Sequence, residues 1–265
     1  MPSPSETRSL AVFCDFENIA LGVREAKYAQ FEMEKVLERL LLKGSIVVKK
    51  AYCDWERYKE FKTAMHLASF ELIEVPHVRQ SGKNSADIRM VVDALDLCYT
   101  KGHVDTFVIV SGDSDFSPLV SKLRENAKTV IGVGVKNSSS DLLIANCDEF
   151  IYYDDLVRQD EQKRRAAKKR RETAPPSGEK GDKKQEAFDL VIETLNALIA
   201  ERGEGEKIWG SMVKQALKRR KPGFNESYYG FRAFSDLLEE AETKGLIKLE
   251  PDEKSGGYLI RPAAQ

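Results

Sequence analysis

Short runs rich in Val, Ile and Phe alternate with helical patterns over the first 155 residues. The apolar runs predict strands at 10–16, 45–54, 70–78, 106–116, 129–135 and 149–155. Between them, apolar residues recur at helical spacing and predict helices at 31–42, 58–69, 85–99, 118–126 and 141–147. Strands that alternate with helices form a parallel sheet flanked by helices, so the predicted fold class is α/β.

The helix predicted at 85–99 has a regular apolar spacing. Ile88, Val91, Val92 and Leu95 lie at i, i+3, i+4 and i+7, which predicts one apolar face packed on the sheet. Ser85 is a suitable N-cap for this helix.

The C-terminal part of the chain has a different order of elements. Amphipathic helices are predicted at 184–203, 207–224 and 227–247, followed by a β-hairpin at 247–260. Three helices and a hairpin wing predict a small winged helix-turn-helix domain.

Composition excludes several classes of protein. With 42% hydrophobic residues in a chain of 265, real cores are expected, and wholesale disorder is excluded. No apolar run approaches the roughly 18–20 residues of a membrane span, and the N-terminus lacks the pattern of a signal peptide, so we expect a cytoplasmic protein that does not act at a membrane. The 4 cysteines are scattered without a CxxC pair, which argues against a disulfide framework or a zinc site.

The net charge of −1 conceals an uneven distribution. The net charge is −5 over residues 1–155, +6 over 156–185 and −2 over 186–265. The predicted domains are therefore 8–155 and 185–262, joined by a basic flexible linker at 156–184. Seven cations in the nine residues from Lys163 to Arg171 indicate either a solvated helix extension or a contact with a phosphate backbone.

Acidic residues collect where a parallel sheet usually places its ligand. Asp15 closes the first strand, and Asp113 and Asp115 follow the strand that begins at 106. Asp87 lies in the first turn of the 85–99 helix, which can direct it to the same edge. Neighbouring carboxylates repel one another unless a hard cation neutralises them, so Mg²⁺ or Mn²⁺ is the expected ligand.

The same residues belong to three motifs with a family resemblance. CDFENI (14–19), KNSADIRMVVDA (83–94) and VSGDSDF (110–116) resemble the motifs of an NYN domain, a PIN-like nuclease fold with a Rossmann-like parallel sheet, of the LabA-like group. The resemblance covers about residues 8–155 and implies a metal-dependent ribonuclease. It implies metal-binding roles for Asp15, Asp87 and Asp113, an additional acid at Asp115, and polar helpers at Asn18 and Ser111.

Three further residues near these motifs are weaker candidates. Asp141 follows another strand, but it also suits the first turn of a helix. Lys83 and Arg89 flank Asp87 and could contact a phosphate, although solvated cations are the better interpretation for both.

The segment 185–262 resembles a LOTUS (OST-HTH) domain, particularly in GFRAFSDLLEEAETKGLIKL. The resemblance implies binding of RNA, including G-rich structured RNA, or recruitment of a protein partner. Tyr228, Tyr229 and Phe231 could stack on bases or pack in the domain core. The basic candidates are Lys214, Lys218, Arg219, Arg220 and Lys221, and we expect most of the last four to be exposed.

The expected function is therefore a ribonuclease, dependent on Mg²⁺ or Mn²⁺ and directed to RNA by its C-terminal domain. A non-catalytic RNA-binding adaptor with a vestigial pocket is the main alternative. A phosphatase with Asp15 as nucleophile is a third hypothesis, which Glu17 fits poorly as the second acid. The RNA target, endonuclease or exonuclease action and the oligomeric state stay open.

Overall fold

A computed structural model describes residues 8–28, 30–75, 85–173, 179–203, 205–252 and 257–263. The chain divides into two compact units, Met1–Lys168 and Lys169–Gln265. Lys83, part of the KNSADIRMVVDA motif, lies outside the described residues. Among the described residues, no helix combines the length and the apolar composition needed to cross a bilayer.

The first unit is built on a sheet that has six strands within the described residues, and all its neighbouring strands are parallel. The predicted α/β fold class is confirmed. The strand order is β3-β2-β1-β4-β5-β6, so the connections leave the centre of the sheet in opposite directions at β1 and β4. A crevice at the carboxyl ends of these two strands is the usual ligand site of such a sheet. The strands are β1 Arg8–Asp15, β2 Gly44–Cys53, β3 Glu71–Glu74, β4 Thr106–Val110, β5 Thr129–Gly134 and β6 Glu149–Tyr152.

Helices cover both faces of this sheet. Side chains of β1 alternate between two apolar cores, with Val12 and Cys14 in one and Ala11 and Phe13 in the other. The predicted helices of this unit are present with small shifts at their ends, whereas α1 was not predicted. The helices are α1 Phe16–Glu25, α2 Met33–Lys43, α3 Lys59–Leu67, α4 Ser85–Thr100, α5 Ser117–Glu125, α6 Asp141–Asn146 and α7 Tyr153–Thr173.

The buried face of α4 differs from the predicted one. Met90, Ala94 and Cys98 are its buried residues, whereas Ile88 is 63% exposed and Val92 is 55% exposed. The prediction was wrong about these two residues because α4 offers two apolar stripes, and the smaller side chains of Ala94 and Cys98 face the sheet. Ile88 and Val92 are left at the surface, whereas Val91 and Leu95 are partly buried and pack against the core.

Most of the segment predicted to be a flexible linker is helical. The helix α7 continues through Thr173, and the next helix begins at Glu179. Lys, Arg, Glu, Gln and Ala dominate the sequence of α7, and these residues favour helix. Tyr153 and Leu156 are buried in the core of the first unit, so this unit extends beyond residue 155.

The second unit contains helices and a small antiparallel sheet. The predicted single helix at 227–247 is instead a 3₁₀ turn, Glu226–Tyr229, followed by a separate helix. Gly230 ends the turn with a φ of 85°, a left-handed conformation that glycine adopts without steric cost. The elements of this unit are α8 Glu179–Arg202, α9 Gly210–Arg220, α10 Phe234–Thr243, β7 Ile247–Asp252 and β8 Gly257–Pro262.

Candidate active site

Asp15 lies at the end of β1 and forms the buried floor of the candidate site. Asp15 is only 8% exposed to solvent. The hydroxyl of Ser111, directly after β4, donates a hydrogen bond of 3.0 Å to Asp15 Oδ2, and the backbone N–H of Asn18 donates to Oδ1 at 3.3 Å. The same carboxylate is the N-cap of α1, so it also fixes where this helix begins.

Asn18 connects the loop after β1 with the loop after β4. Its side-chain Oδ1 accepts a hydrogen bond of 2.9 Å from the backbone N–H of Gly112. Within the β4 loop, Asp113 N donates to Ser111 Oγ at 3.2 Å, and Asp115 N donates to Asp113 Oδ1 at 2.9 Å. The structure therefore brings five of the six candidate catalytic residues into one hydrogen-bonded network.

Asp87, the sixth candidate, is coupled to this network through its charge. Burial and the charges of Asp113 and Asp115 raise the pKa of Asp87 from 3.8 to about 6. Burial and the charge of Asp87 raise the pKa of Asp15 from 3.8 to about 7, while the hydrogen bonds from Asn18 and Ser111 act in the opposite direction. The first turn of α4 thus reaches the edge of the sheet where β1 and β4 end.

Glu17 is an additional acid near the site, and its place in the sequence indicated only a poor fit to the second acid of a phosphatase. It lies in the first turn of α1, and its charge contributes to the raised pKa of Asp87. Arg57 pairs with its carboxylate at 3.2 Å. The sequence feature that could have indicated Glu17 is the suitability of Asp15 as an N-cap. A helix that begins after Asp15 places Glu17 at the same edge of the sheet.

The acids have the donor chemistry of a hard-cation site but do not form a closed metal cage. Among the described residues, no group of three His, Cys, Asp or Glu side chains is arranged to hold a metal ion. Within the same residues, no lysine or arginine forms an ion pair with Asp15, Asp87 or Asp113, so no described cation offsets the mutual repulsion of these acids. Mg²⁺ usually keeps several waters and binds through one or two carboxylates plus substrate phosphate, and this open acidic edge fits that mode.

Two of the weaker candidates have structural roles. Arg89 pairs with Asp93 at 3.1 Å, one turn further along α4. Asp141 is exposed in the first turn of α6, where Ser140 is the N-cap.

The basic candidates of the second unit differ strongly in their exposure. Lys218 and Lys221 are exposed at the end of α9. In contrast, Arg220 has an almost fully buried side chain that pairs with Glu193 at 2.7 Å, and burial lowers the pKa of Arg219. The expectation that most of the last four cations are exposed therefore holds for two of them.

Lys214 and the aromatic candidates also separate into packed and exposed groups. Lys214 pairs with Glu226 at 2.9 Å. Tyr229 stacks on Phe224, and Phe231 is buried, which matches the interpretation as core residues. Tyr228 is exposed, and Lys183 Nζ lies 4.8 Å from its ring centroid.

Comparisons with known proteins match the first unit. A model of the NYN domain family matches residues 9–154. The uncharacterized protein MJ0482 of Methanocaldococcus jannaschii is 28% identical over 117 residues, which are 44% of this chain and 45% of that protein. The match thus spans less than half the length of this curated relative. The crystal structure of VPA0982, a protein of unknown function from Vibrio parahaemolyticus, has a TM-score of 0.52 and 26% identity, over 58% of this chain and 98% of that chain.

Proposed function

The chain belongs to the NYN domain family, and we propose that its first unit is a ribonuclease that uses Mg²⁺ or Mn²⁺ to hydrolyse phosphodiester bonds. NYN domains belong to a PIN-like nuclease superfamily whose members generally use divalent metals and typically act on RNA. The observation that supports the proposal most directly is the coupling of Asp15, Asp87 and Asp113 at one edge of the sheet, without a compensating cation among the described residues.

Each residue of the site would have a distinct role. Asp15, Asp87 and Asp113 would bind the metal either directly or through its waters, with Asp115 as an additional acid. The metal would stabilise the charge that develops on the phosphate oxygens and lower the pKa of a water nucleophile. Ser111 and Asn18 would orient the acids, since Ser111 donates to Asp15 and Asn18 accepts from the loop that precedes Asp113.

A metal-titrated cleavage assay tests this function. We expect cleavage of single-stranded RNA with Mg²⁺ or Mn²⁺ and a loss of roughly 10²-fold or more in Asp113→Asn. The control is Asp96→Asn, which removes an exposed carboxylate of the same unit outside the site and is expected to retain activity. DNA and double-stranded RNA run in parallel define the substrate class.

The absence of a closed metal cage within the described residues favours one alternative, a non-catalytic RNA-binding adaptor. Thermal unfolding with added metal separates the two functions, because a ligand that binds only the native state raises the melting temperature. For the nuclease we expect such a rise in the wild type and its loss in Asp113→Asn. RNA binding with neither cleavage nor a metal-dependent rise would establish the adaptor.

For the second unit we propose a LOTUS-like domain that directs the nuclease to RNA, including G-rich structured RNA. Lys218 and Lys221 support this proposal because exposed cations at one helix end can contact phosphates. Tyr228 adds an exposed ring next to Lys183, which suits stacking on an unpaired base. If the second unit instead recruits a protein partner, binding of that partner should be insensitive to the loss of the Lys218, Lys221 and Tyr228 side chains.

A further inference from the structure

An open groove of about 720 Å³ begins at the acids and lies between α4 and α5. Asp87 and Asp115 line one part of it, so the groove is continuous with the candidate active site. Its volume falls within the range of roughly 300–1,000 Å³ that is typical of ligand pockets. The metal-binding role proposed for the acids does not explain the other residues that line this groove.

The walls of the groove are apolar and open to solvent. Ile88 and Val92, the exposed stripe of α4, line it together with Leu142 at the start of α6, which is 57% exposed. Ile88 and Val92 are four residues apart and therefore lie on the same face of α4. Packing among the described residues of the first unit does not explain the exposure of Ile88 and Val92, whereas contact with an apolar ligand does.

Ser117 provides a polar group in the wall of this groove, just below its surface. The residue is 6% exposed, and its hydroxyl finds no hydrogen-bond partner among the described residues. A buried hydroxyl without a partner is uncommon, and an absent ligand is one of its ordinary explanations. Ser114 and Ser121 also line the groove, so three hydroxyls accompany the apolar walls.

The charge of the groove indicates which part of a nucleotide the groove can hold. Its lining among the described residues includes the carboxylates Asp87 and Asp115 but neither lysine nor arginine. A phosphate group is therefore disfavoured here, and a neutral ring with hydrogen-bonding edges is favoured. Proteins recognise unstacked RNA bases in this way, with apolar contacts on the ring faces and hydrogen bonds at the edges.

We propose that this groove holds one nucleobase of the RNA strand, adjacent to the phosphodiester bond positioned at the acids. The proposal rests on the ribonuclease function proposed above and adds to it a subsite for the base. Ile88, Val92 and Leu142 contact the ring, and the Ser117 hydroxyl turns toward the groove and bonds to the edge of the ring. The groove thereby sets which phosphate of a single strand reaches the acids.

Binding of free nucleosides tests the subsite without depending on cleavage. We expect adenosine, guanosine, cytidine or uridine to shift the methyl NMR signals of Ile88, Val92 and Leu142 in the metal-free full-length protein. Ribose 5-phosphate, which lacks a base, is expected to leave these signals unchanged. Absence of shifts with all four nucleosides, or equal shifts with ribose 5-phosphate, would overturn the proposal.

Two variants identify the groove as the place of binding. Ser121 is exposed in the groove, so Ser121→Phe should block it and abolish the nucleoside shifts. Thr63→Phe, at an exposed position of α3 in the same unit, is the matched control and should preserve them. Ser117→Ala removes only the unpartnered hydroxyl, so affinity for the best-binding nucleoside should fall about 3–10-fold without loss of folding stability. Unchanged affinity in both groove variants would contradict the proposal, and Val92→Gln replaces Ser121→Phe if the latter does not fold.

Kinetics separate failure of the subsite from failure of the nuclease. We expect Ser121→Phe to lower kcat/KM on RNA at least about 10-fold while the metal-dependent rise in melting temperature is retained. An abasic residue beside the cleaved bond should lower kcat/KM similarly in the wild type and should cause no further loss in Ser121→Phe. If the wild type cleaves RNA and Ser121→Phe cleaves it with the same kinetics, the base subsite is overturned and the nuclease function is not. If nucleosides shift the methyl signals but the protein cleaves no RNA, only the nuclease function is overturned. Self-association that Ser121→Phe abolishes, with no nucleoside shifts, would assign the groove to a second copy of the chain.

Discussion

At the scale of single residues, Asp15 is held where its charged form is disfavoured. Burial removes water from the carboxylate, and Asp87 places a second negative charge nearby. Two hydrogen bonds hold the side chain in place without neutralising it. A carboxylate in this state gains more from a proton or a metal cation than one in water does, which is the property that a metal-dependent site requires.

Asp15→Asn should therefore stabilise the metal-free protein at alkaline pH. The folded state binds a proton at Asp15 up to a pKa of about 7, whereas the ordinary value is 3.8. Between these values the folded state holds more protons than the unfolded state, so the wild type loses stability as pH rises through this window. Asparagine does not ionise. The melting temperature of the Asp15→Asn variant should therefore exceed that of the wild type by on the order of 5 °C at about pH 8.

The pH series supplies the control for this prediction. At about pH 4 most of the wild-type Asp15 is protonated in the folded state, so the difference between the two melting curves should nearly vanish. Saturating Mg²⁺ at about pH 8 should also reduce the difference, because it stabilises only the wild type. A variant that is less stable than the wild type at every pH would show that the charge of Asp15 is not a source of strain.

At the scale of elements, the loop after β4 depends on close packing against the loop after β5. A Cβ on Gly112 would collide with the backbone carbonyl oxygen of Ser138. The carbonyl of Gly112 also accepts a hydrogen bond of 2.9 Å from Ser140 N, and its N–H donates to Asn18. The glycine thus allows three loops to meet directly beneath the acids.

Gly112→Ala should destabilise the first unit by about 1–3 kcal/mol, because a backbone atom cannot move aside as a flexible side chain can. Urea denaturation measures the loss, and the activity assay should show a defect beyond it because Asp113 is displaced. Gly102→Ala is the matched control, since nothing lies within 4 Å of its added Cβ. Equal stability of the two variants would indicate that the loops separate without cost.

The elements of the first unit were predictable because strand and helix patterns differ in period along the chain. The two apolar stripes of α4 share one period, however, and the sequence does not show that Met90 and Ala94 face the sheet while Ile88 and Val92 line a groove. The place of the candidate acids in the fold was predictable where an acid follows a strand, as at Asp15 and Asp113. The role of Ser117 was not, because it depends on the depth of a groove between helices that are apart in sequence.

The end of α9 separates two kinds of cation that look alike in the sequence. Lys218 and Lys221 are exposed, whereas the almost fully buried side chain of Arg220 pairs with Glu193 at the surface of the second unit. We expect Lys218→Ala with Lys221→Ala to weaken RNA binding across sequences and to reduce the salt slope of log K by about two, at little cost in stability. Arg220→Ala should instead lower stability, because the buried hydroxyl of Thr194 loses the hydrogen bond that Arg220 donates to it. Fluorescence anisotropy over a salt series measures the RNA affinity of the double variant, and thermal unfolding measures the stability of Arg220→Ala. Unchanged RNA affinity in the double variant would place the RNA contact elsewhere.

At the scale of the whole molecule, charge is distributed unevenly along the chain, with a net charge of +6 over residues 156–185. The acids that would bind a metal repel RNA phosphates until a cation is present, and the first 155 residues have a net charge of −5. We therefore expect affinity for the RNA backbone to come largely from the basic segment 156–185 and from exposed cations such as Lys218 and Lys221. Each unit has its own apolar core, so this expectation can be tested by cutting the chain.

The place of the cut follows from the packing of α7. Leu156 is buried in the first core and Lys35 pairs with Asp160 at 2.7 Å, so a chain that ends at residue 155 would lose contacts that belong to the first unit. Truncation after Lys168 retains them. We expect the truncated protein to unfold cooperatively and to cleave a short single-stranded RNA with a kcat near that of the full chain, since all the acids are present. Its RNA affinity should be lower and its salt dependence flatter, because the cations of the second unit are gone. Equal affinity and an equal salt slope for the two proteins would show that the first unit binds RNA by itself.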